Sequence, residues 1–207
     1  MTLTVPGVPF PLAPSDATPW SVDPDAGRLT VTAGPRTDIF VDPAAARGAE
    51  AAGTLNAPRL LGRPPEGDFR LSARVGVAFA STFDAGVLLL WHDERHWAKL
   101  CFEYSPDGEP MVVSVVNREV SDDANGPVVS GRSVWLRVSR TGGVLGYHAS
   151  SDGQRWQLVR LFALDAPPDA ALTVGFEGQS PTGEGCVATF EDITFLTTGL
   201  ADPRDGS

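Results

Sequence analysis

From residue 66 onward the apolar positions of this chain alternate with polar ones. In Gly67-Asp68-Phe69-Arg70-Leu71-Ser72-Ala73-Arg74-Val75-Gly76-Val77, the set Phe69, Leu71, Ala73, Val75 and Val77 lies out of phase with Arg70, Ser72 and Arg74. A two-residue period puts the two sets on opposite faces of a strand, one buried and one wet. Further stretches of strand character follow at 85–91, 96–104, 111–116, 133–140, 144–149, 154–162, 171–176 and 186–195, and an earlier one at 29–33 is closed by Gly34-Pro35. Ser105-Pro106-Asp107-Gly108 and Asp152-Gly153 read as turns, and residues 121–127 as a loop. Residues 43–53 hold the only good helix formers in a row; the stretch is short and predicts a helical turn or a loop. About ten to twelve strands at roughly 8–12-residue spacing predict an all-β fold, a two-sheet antiparallel sandwich.

The same period sorts the faces. In Trp97–Tyr104 the core set is Ala98, Leu100, Phe102 and Tyr104, and the opposite set is Trp97, Lys99, Cys101 and Glu103. In 134–138 Trp135 and Arg137 oppose Val134, Leu136 and Val138; in 172–177 Thr173, Gly175 and Glu177 oppose Leu172, Val174 and Phe176. Solvated strand faces seldom carry tryptophan. Aromatic rings with charges on one face suit a sugar or small polar metabolite, because the ring stacks on apolar faces while the charged groups hydrogen-bond hydroxyls. Trp97, Lys99, Glu103, Trp135, Arg137 and Glu177 are therefore expected to share one working face. The competing expectation is that residues 1–28, rich in Pro, Asp and Ser, form an extended arm that covers the same face. Residues 29–197 are then the sandwich and 198–207 a tail, frayed from 201.

Composition narrows the partners. The 207 residues suit one domain, and a chain of this size buries roughly 70% of its unfolded surface without disulfide staples. With 16 basic against 26 acidic residues, the net charge of −10 argues against nucleic acid and against an anionic membrane surface. Lys99 is the only lysine in a chain that otherwise uses arginine. Two cysteines, no signal-like leader and no long apolar run predict a cytoplasmic protein in which Cys101 and Cys186 are not bonded to each other.

Several segments together resemble a bacterial and fungal family of unknown function, named for a yeast regulator of enolase and placed in the concanavalin A-like lectin/glucanase superfamily. They are Thr37-Asp38-Ile39-Phe40; Glu66-Gly67-Asp68-Phe69; Trp91 to Lys99 with Glu103; Val115-Val116-Asn117-Arg118 with Ser121-Asp122; and Val174 to Pro181, ending in Phe190-Glu191-Asp192. The resemblance spans roughly residues 20–196. It implies a jelly-roll sandwich with a concave face, adds Arg118 to the candidate ligand contacts, and implies no known reaction. A protein partner is possible on the strength of the family's name.

The remaining motifs are weak. His92-Asp93-Glu94-Arg95-His96 has zinc-like spacing, but it lies between two apolar strands and so reads as a hairpin turn. The acid triplet on one strand that retaining glucanases of the superfamily carry is missing, and Glu191-Asp192 face opposite ways. Glu103 and Glu177, with Lys99, are the remaining catalytic candidates, as acids that converge across strands. Cys101 reads as a small filler beside Lys99, and Trp156 as a cap on the core. No nucleophile elbow, phosphate loop or dinucleotide motif is present, and no metal or cofactor is expected. The leading expectation is a binding module for a carbohydrate or small polar metabolite. The alternatives are an enzyme on the same face (glycosidase, lyase or small-molecule tailoring activity) and a regulator of another enzyme.

Overall fold

A computed structural model describes residues 1–47, 53–165 and 170–207. The strands in chain order are β1 (Ala13–Pro14), β2 (Trp20–Asp23), β3 (Arg28–Ala33), β4 (Ile39–Phe40), β5 (Thr54–Leu55) and β6 (Arg59–Gly62). The long strands follow: β7 (Phe69–Val77), β8 (Ala85–Asp93), β9 (His96–Tyr104), β10 (Pro110–Arg118) and β11 (Val120–Val128). The chain closes with β12 (Ser133–Thr141), β13 (Val144–Ser150), β14 (Gln157–Phe162), β15 (Thr173–Gln179) and β16 (Cys186–Leu196). Seven strands form a first sheet in the order β1-β6-β15-β8-β9-β10-β11, and seven a second in the order β14-β13-β12-β7-β16-β3-β2. All pairings are antiparallel, and the fold is the expected concanavalin A-like jelly-roll sandwich.

The alternation that predicted the strands also fills the core. Phe69, Leu71, Val75, Leu100, Phe102, Leu136, Val138, Val174 and Phe176 are all buried in one cluster between the sheets. The hairpin between β12 and β13 is closed by Gly142 and Gly143 alone, with φ of 57° and 84°. Two successive left-handed residues make the tight turn whose twist matches paired strands, and glycine adopts them without a steric cost. The 92–96 segment is the expected hairpin, with Asp93 paired to His96 and the ring Nδ1 of His96 2.9 Å from the Asp93 carboxylate.

Three local expectations change. Residues 121–127 belong to strand β11 although they read Ser-Asp-Asp-Ala-Asn-Gly-Pro. This is the sheet's edge, where the apolar β10 supplies the pairing and exposed polar side chains are no handicap. Gly126 and Pro127 fall where the β10–β11 register shifts, a bulge that tolerates a missing N–H. The described part of the helix-forming stretch is, as expected, no more than a helical turn, the 3-10 helix Pro43–Arg47; residues 48–52 lie outside the described residues. Residues 201–207 are docked rather than frayed, because Arg137 Nη2 donates to the Gly206 carbonyl at 2.6 Å and Ala201 N to Ser207 O at 2.9 Å. Trp156 lies on the outer face of the second sheet, its ring 4.3 Å from the Arg137 guanidinium, and does not cap the core.

Residues 1–28 contribute to both sheets. β1 pairs with β6 and β2 with β3, while Val5, Val8, Leu12 and Trp20 enter the main core. The cover over the outward face of the first sheet comes instead from the β4–β5 ribbon. Ile39 and Ala57 pack there against Ala85, Val87, Leu89, Trp97, Cys101, Met111, Val113 and Val115 in a second buried cluster. Val41 and Ser121 exchange hydrogen bonds that stitch the ribbon to β11.

Candidate functional site

On the outward face of the first sheet, strand register lines up Leu89, Lys99, Val115 and Asp123 across β8, β9, β10 and β11. Glu177, Val87, Cys101, Val113 and Asn125 form the next row on that face, and Gln179, Ala85, Glu103 and Met111 the row beyond it. The ribbon crosses above and brings Asp38 down onto Lys99. Lys99 Nζ donates to Asp38 Oδ1 at 3.2 Å and to Gln179 Oε1 at 2.8 Å. Gln179 Nε2 in turn donates to the Phe83 carbonyl at 3.2 Å, so one chain of contacts runs from ribbon to sheet to the 81–84 loop. Asn56 holds Asp38 in place by accepting from its N–H at 2.9 Å.

A pocket of about 150 Å³ opens beside this network, lined by Asp38, Phe40, Phe83, Lys99, Glu103, Val115, Asp123 and Gln179. Two aromatic rings and a valine supply apolar wall; three carboxyl groups, an amide and an ammonium supply polar contacts. Phe83 has a φ of 70°. That region costs a bulky residue on the order of 1–3 kcal/mol, and such strain persists where the surroundings impose it, often at functional sites. The residue is 37% exposed.

Burial governs the electrostatics. Loss of water pushes the Glu103 carboxyl up to about 8, with Lys99 pulling the other way. Glu177 rises to about 7 for the same reason. Asp123 is raised, again chiefly by burial. Burial lowers the Lys99 ammonium pKa, but Asp38 and Glu177 outweigh it and hold the amine charged above its ordinary value. Burial likewise drives the Cys101 thiol well above its ordinary range, against the pull of Lys99, so it carries no reactive thiolate at neutral pH.

The sequence-predicted residues separate into three pairs, with Arg118 apart from all of them. Lys99 and Glu103 line the pocket together. Trp97 and Glu177 share that face but are fully buried: Trp97 lies in the apolar cluster with its ring 5.8 Å from Lys99 Nζ, and neither lines the pocket. Both Glu177 carboxylate oxygens lack a hydrogen-bond partner among the described residues. Trp135 and Arg137 sit on the other sheet, where β12 pairs with β7 and β13. The grouping of all six on one face is thereby corrected, because the two-residue period separates inward from outward positions without saying which sheet a strand joins. Arg118, at the exposed end of β10, donates to the Ala163 carbonyl at 2.9 Å and stays out of the pocket. Cys101 and Cys186 are both free and buried, as expected.

Sequence reading passed over Asp38, Phe40, Phe83, Val115, Asp123 and Gln179 as site residues. Asp38, Phe40, Val115 and Gln179 were within reach, since each lies in a segment that carried the family resemblance. Asp123 was hidden by the loop-like composition of β11, and Phe83 by a segment with no periodicity.

Fold and site together define a concanavalin A-like sandwich with a small polar pocket on the outward face of one sheet. The chain belongs to the family described as "Protein of unknown function (DUF1349)", which matches residues 16–198. It is 31% identical over 176 residues, 84% of each chain, to "Regulation of enolase protein 1" of Saccharomyces cerevisiae. A crystal structure of a functionally unknown protein from Saccharomyces cerevisiae superposes with a TM-score of 0.75 at 25% identity, covering 92% of this chain and 97% of that one. More distant likenesses include the GH43 BlXynB protein of Bacillus licheniformis, with a TM-score of 0.68, 12% identity and coverage of 91% and 36%. A xylan beta-1,4-xylosidase of Bacillus halodurans C-125 gives a TM-score of 0.68 at 13% identity, with coverage of 87% and 35%. In both enzymes the likeness concerns about a third of the chain and the fold alone. Among the described residues, no helix is long and apolar enough to cross a membrane.

Proposed function

We propose that the chain is a binding module for a small, neutral, polyhydroxylated ligand, of the size of a monosaccharide, held in the pocket between the β4–β5 ribbon and the first sheet. The observation that carries this reading is the convergence of Lys99, Glu103, Asp123 and Gln179 beneath the rings of Phe40 and Phe83. A sugar presents apolar C–H faces for the rings and hydroxyls that both donate and accept. Glu103, protonated near neutrality, both donates and accepts; Asp123 accepts. An anionic ligand fits poorly, because Asp38 and Gln179 already occupy the Lys99 ammonium and the other charges are acidic.

The test is an NMR titration of the intact chain with a panel of monosaccharides and disaccharides. Binding should weaken at least about fivefold in Phe83→Ala and in Glu103→Leu, and survive in Glu103→Gln, which keeps one donor and one acceptor. No binding by any sugar at tens of millimolar, or unchanged affinity in both disruptive variants, overturns the reading.

Catalysis is the second reading, favoured by a carboxyl that holds its proton near neutral pH, as a general acid requires. Glu103 would act without Glu177, which does not line the pocket and lies two strands and one row away. Strand spacing puts the two backbones about 12 Å apart, and only Glu103 lines the pocket, so the two acids do not flank a common bound ligand. Turnover of a bound glycoside in the same titrations would select this reading. The name of the yeast relative adds a regulatory role through a protein partner, and a cytoplasmic setting accords with the two free thiols.

A further inference from the structure

The outer face of the second sheet holds a different kind of site. Cross-strand register places His148, Arg137, Ser72 and Thr194 in one row across β13, β12, β7 and β16, with Arg70 and Leu196 paired in the next. Trp156 and Gly153 wall the depression above them, leaving a pocket of about 210 Å³ lined by Arg70, Ser72, Arg137, Gly153, Trp156, Thr194 and Leu196. By volume it has room for on the order of ten waters, more than a single ion needs.

Arg137 is only 5% exposed, yet it forms no ion pair among the described residues, and its Nε has no hydrogen-bond partner there. Its one hydrogen bond goes to the Gly206 carbonyl. Arg70 is held by Thr198 through Nε and Nη2 and also forms no ion pair. The acids nearest in register are committed elsewhere: Glu191 to Arg28 and Arg74, Asp192 to Arg74. The Ser72 and Thr194 hydroxyls make no hydrogen bond to a described residue. Two guanidinium groups close enough to repel each other, one of them buried, thus face a cavity with unused N–H and O–H donors and no counter-charge. Burial and the nearby Arg70 both lower the Arg137 pKa, to about 10, which fits a cation left without its anion. A desolvated charge without a partner is costly, and arginine matches oxyanions through two parallel N–H groups.

We infer that this pocket binds a small organic oxyanion, a carboxylate or a phosphate ester, with Arg137 and Arg70 on its charged end, Ser72 and Thr194 on its remaining oxygens, and Trp156 and Leu196 against its apolar part. The site is separate from the pocket over Lys99 and does not depend on what that pocket binds.

The test uses the full chain at constant ionic strength, so that screening does not vary. Succinate and glycerol phosphate are titrated separately by calorimetry, with Trp156 ring signals followed by NMR. At least one probe should bind in the millimolar range or tighter and shift Trp156; which one binds separates carboxylate from phosphoryl recognition. Arg70→Gln, which leaves the Arg137–Gly206 tie intact, should weaken binding at least about tenfold, and Arg137→Gln should do the same. Arg36→Gln, an exposed arginine elsewhere, should change nothing. Failure of both probes to bind at tens of millimolar overturns the inference, as does equal affinity in wild type and Arg70→Gln.

Discussion

The two outward faces of this sandwich solve the problem of buried charge in opposite ways. On the first sheet the charges around the pocket are mostly acidic, a ribbon lies over them, and the Lys99 ammonium is matched by Asp38 and Gln179. On the second the charges around the pocket are basic, the cover is a short terminal segment, and Arg137 receives only a carbonyl. The first arrangement is nearly self-contained and leaves protons, not counter-ions, to settle the excess of acids. The second is unbalanced and asks for something from outside. A net charge of −10 gives no hint of this division; it is made by which strands each sheet gathers.

The largest expected effect comes from removing the matched cation. Lys99→Met strands Asp38, Glu103 and Glu177 without their ammonium and cuts the tie to the ribbon. Breaking one side of a buried pair typically costs about 3–5 kcal/mol. Arg137→Gln removes a charge that no acid balances and should cost about 1 kcal/mol or less. Urea unfolding of the two variants side by side tests the contrast, and equal losses would remove the distinction between the faces.

A smaller effect is expected from pH. Glu103 and Glu177 titrate near 8 and 7 in the folded chain, above the ordinary carboxyl value of 4.5. The folded state therefore binds protons more tightly than the unfolded one. The stability these groups contribute is complete below about pH 4.5 and is lost as pH rises toward 8. Glu177→Gln should flatten that decline and raise stability at pH 8 by on the order of 2–3 kcal/mol. Denaturation midpoints between pH 5 and 8 read the slope; a wild-type profile that rises across that range would contradict the buried-acid account.

The smallest effect concerns Phe83. Glycine adopts a φ of 70° without strain, so Phe83→Gly should leave the melting temperature unchanged or raise stability by about 0.5–1 kcal/mol, while sugar binding falls. Melting curves and ligand titrations on the same sample separate the two. A clear loss of stability would show that the ring serves packing instead.

Most of the sandwich was legible because its long strands are half-buried, and a half-buried strand writes its orientation into every second residue. What that period omits is sheet membership, which depends on pairings between residues far apart in the chain. Trp135 and Arg137 were read correctly as outward and wrongly as neighbours of Lys99 for that reason. β11 was invisible since an edge strand borrows its order from β10 and needs little apolar side chain of its own. The pocket was half legible: Lys99 and Glu103 stand out on a regular strand, whereas Asp38 and Phe83 reach it from the residue before a two-residue strand and from a loop, whose placements are tertiary.

The sole lysine has a practical consequence. Lys99 carries the only ε-amine in the chain, and its side chain is 3% exposed beneath the ribbon. An amine-reactive acylating reagent entering the pocket meets a free amine only when Lys99 leaves Asp38 and Gln179 and gives up its proton. The rate at which mass is added at Lys99 in native buffer therefore clocks the release of these contacts on this one face, with no label engineered and no other lysine to confuse the signal. A ligand that closes the pocket should slow that clock, and an oxyanion on the opposite sheet should leave it running at the same pace.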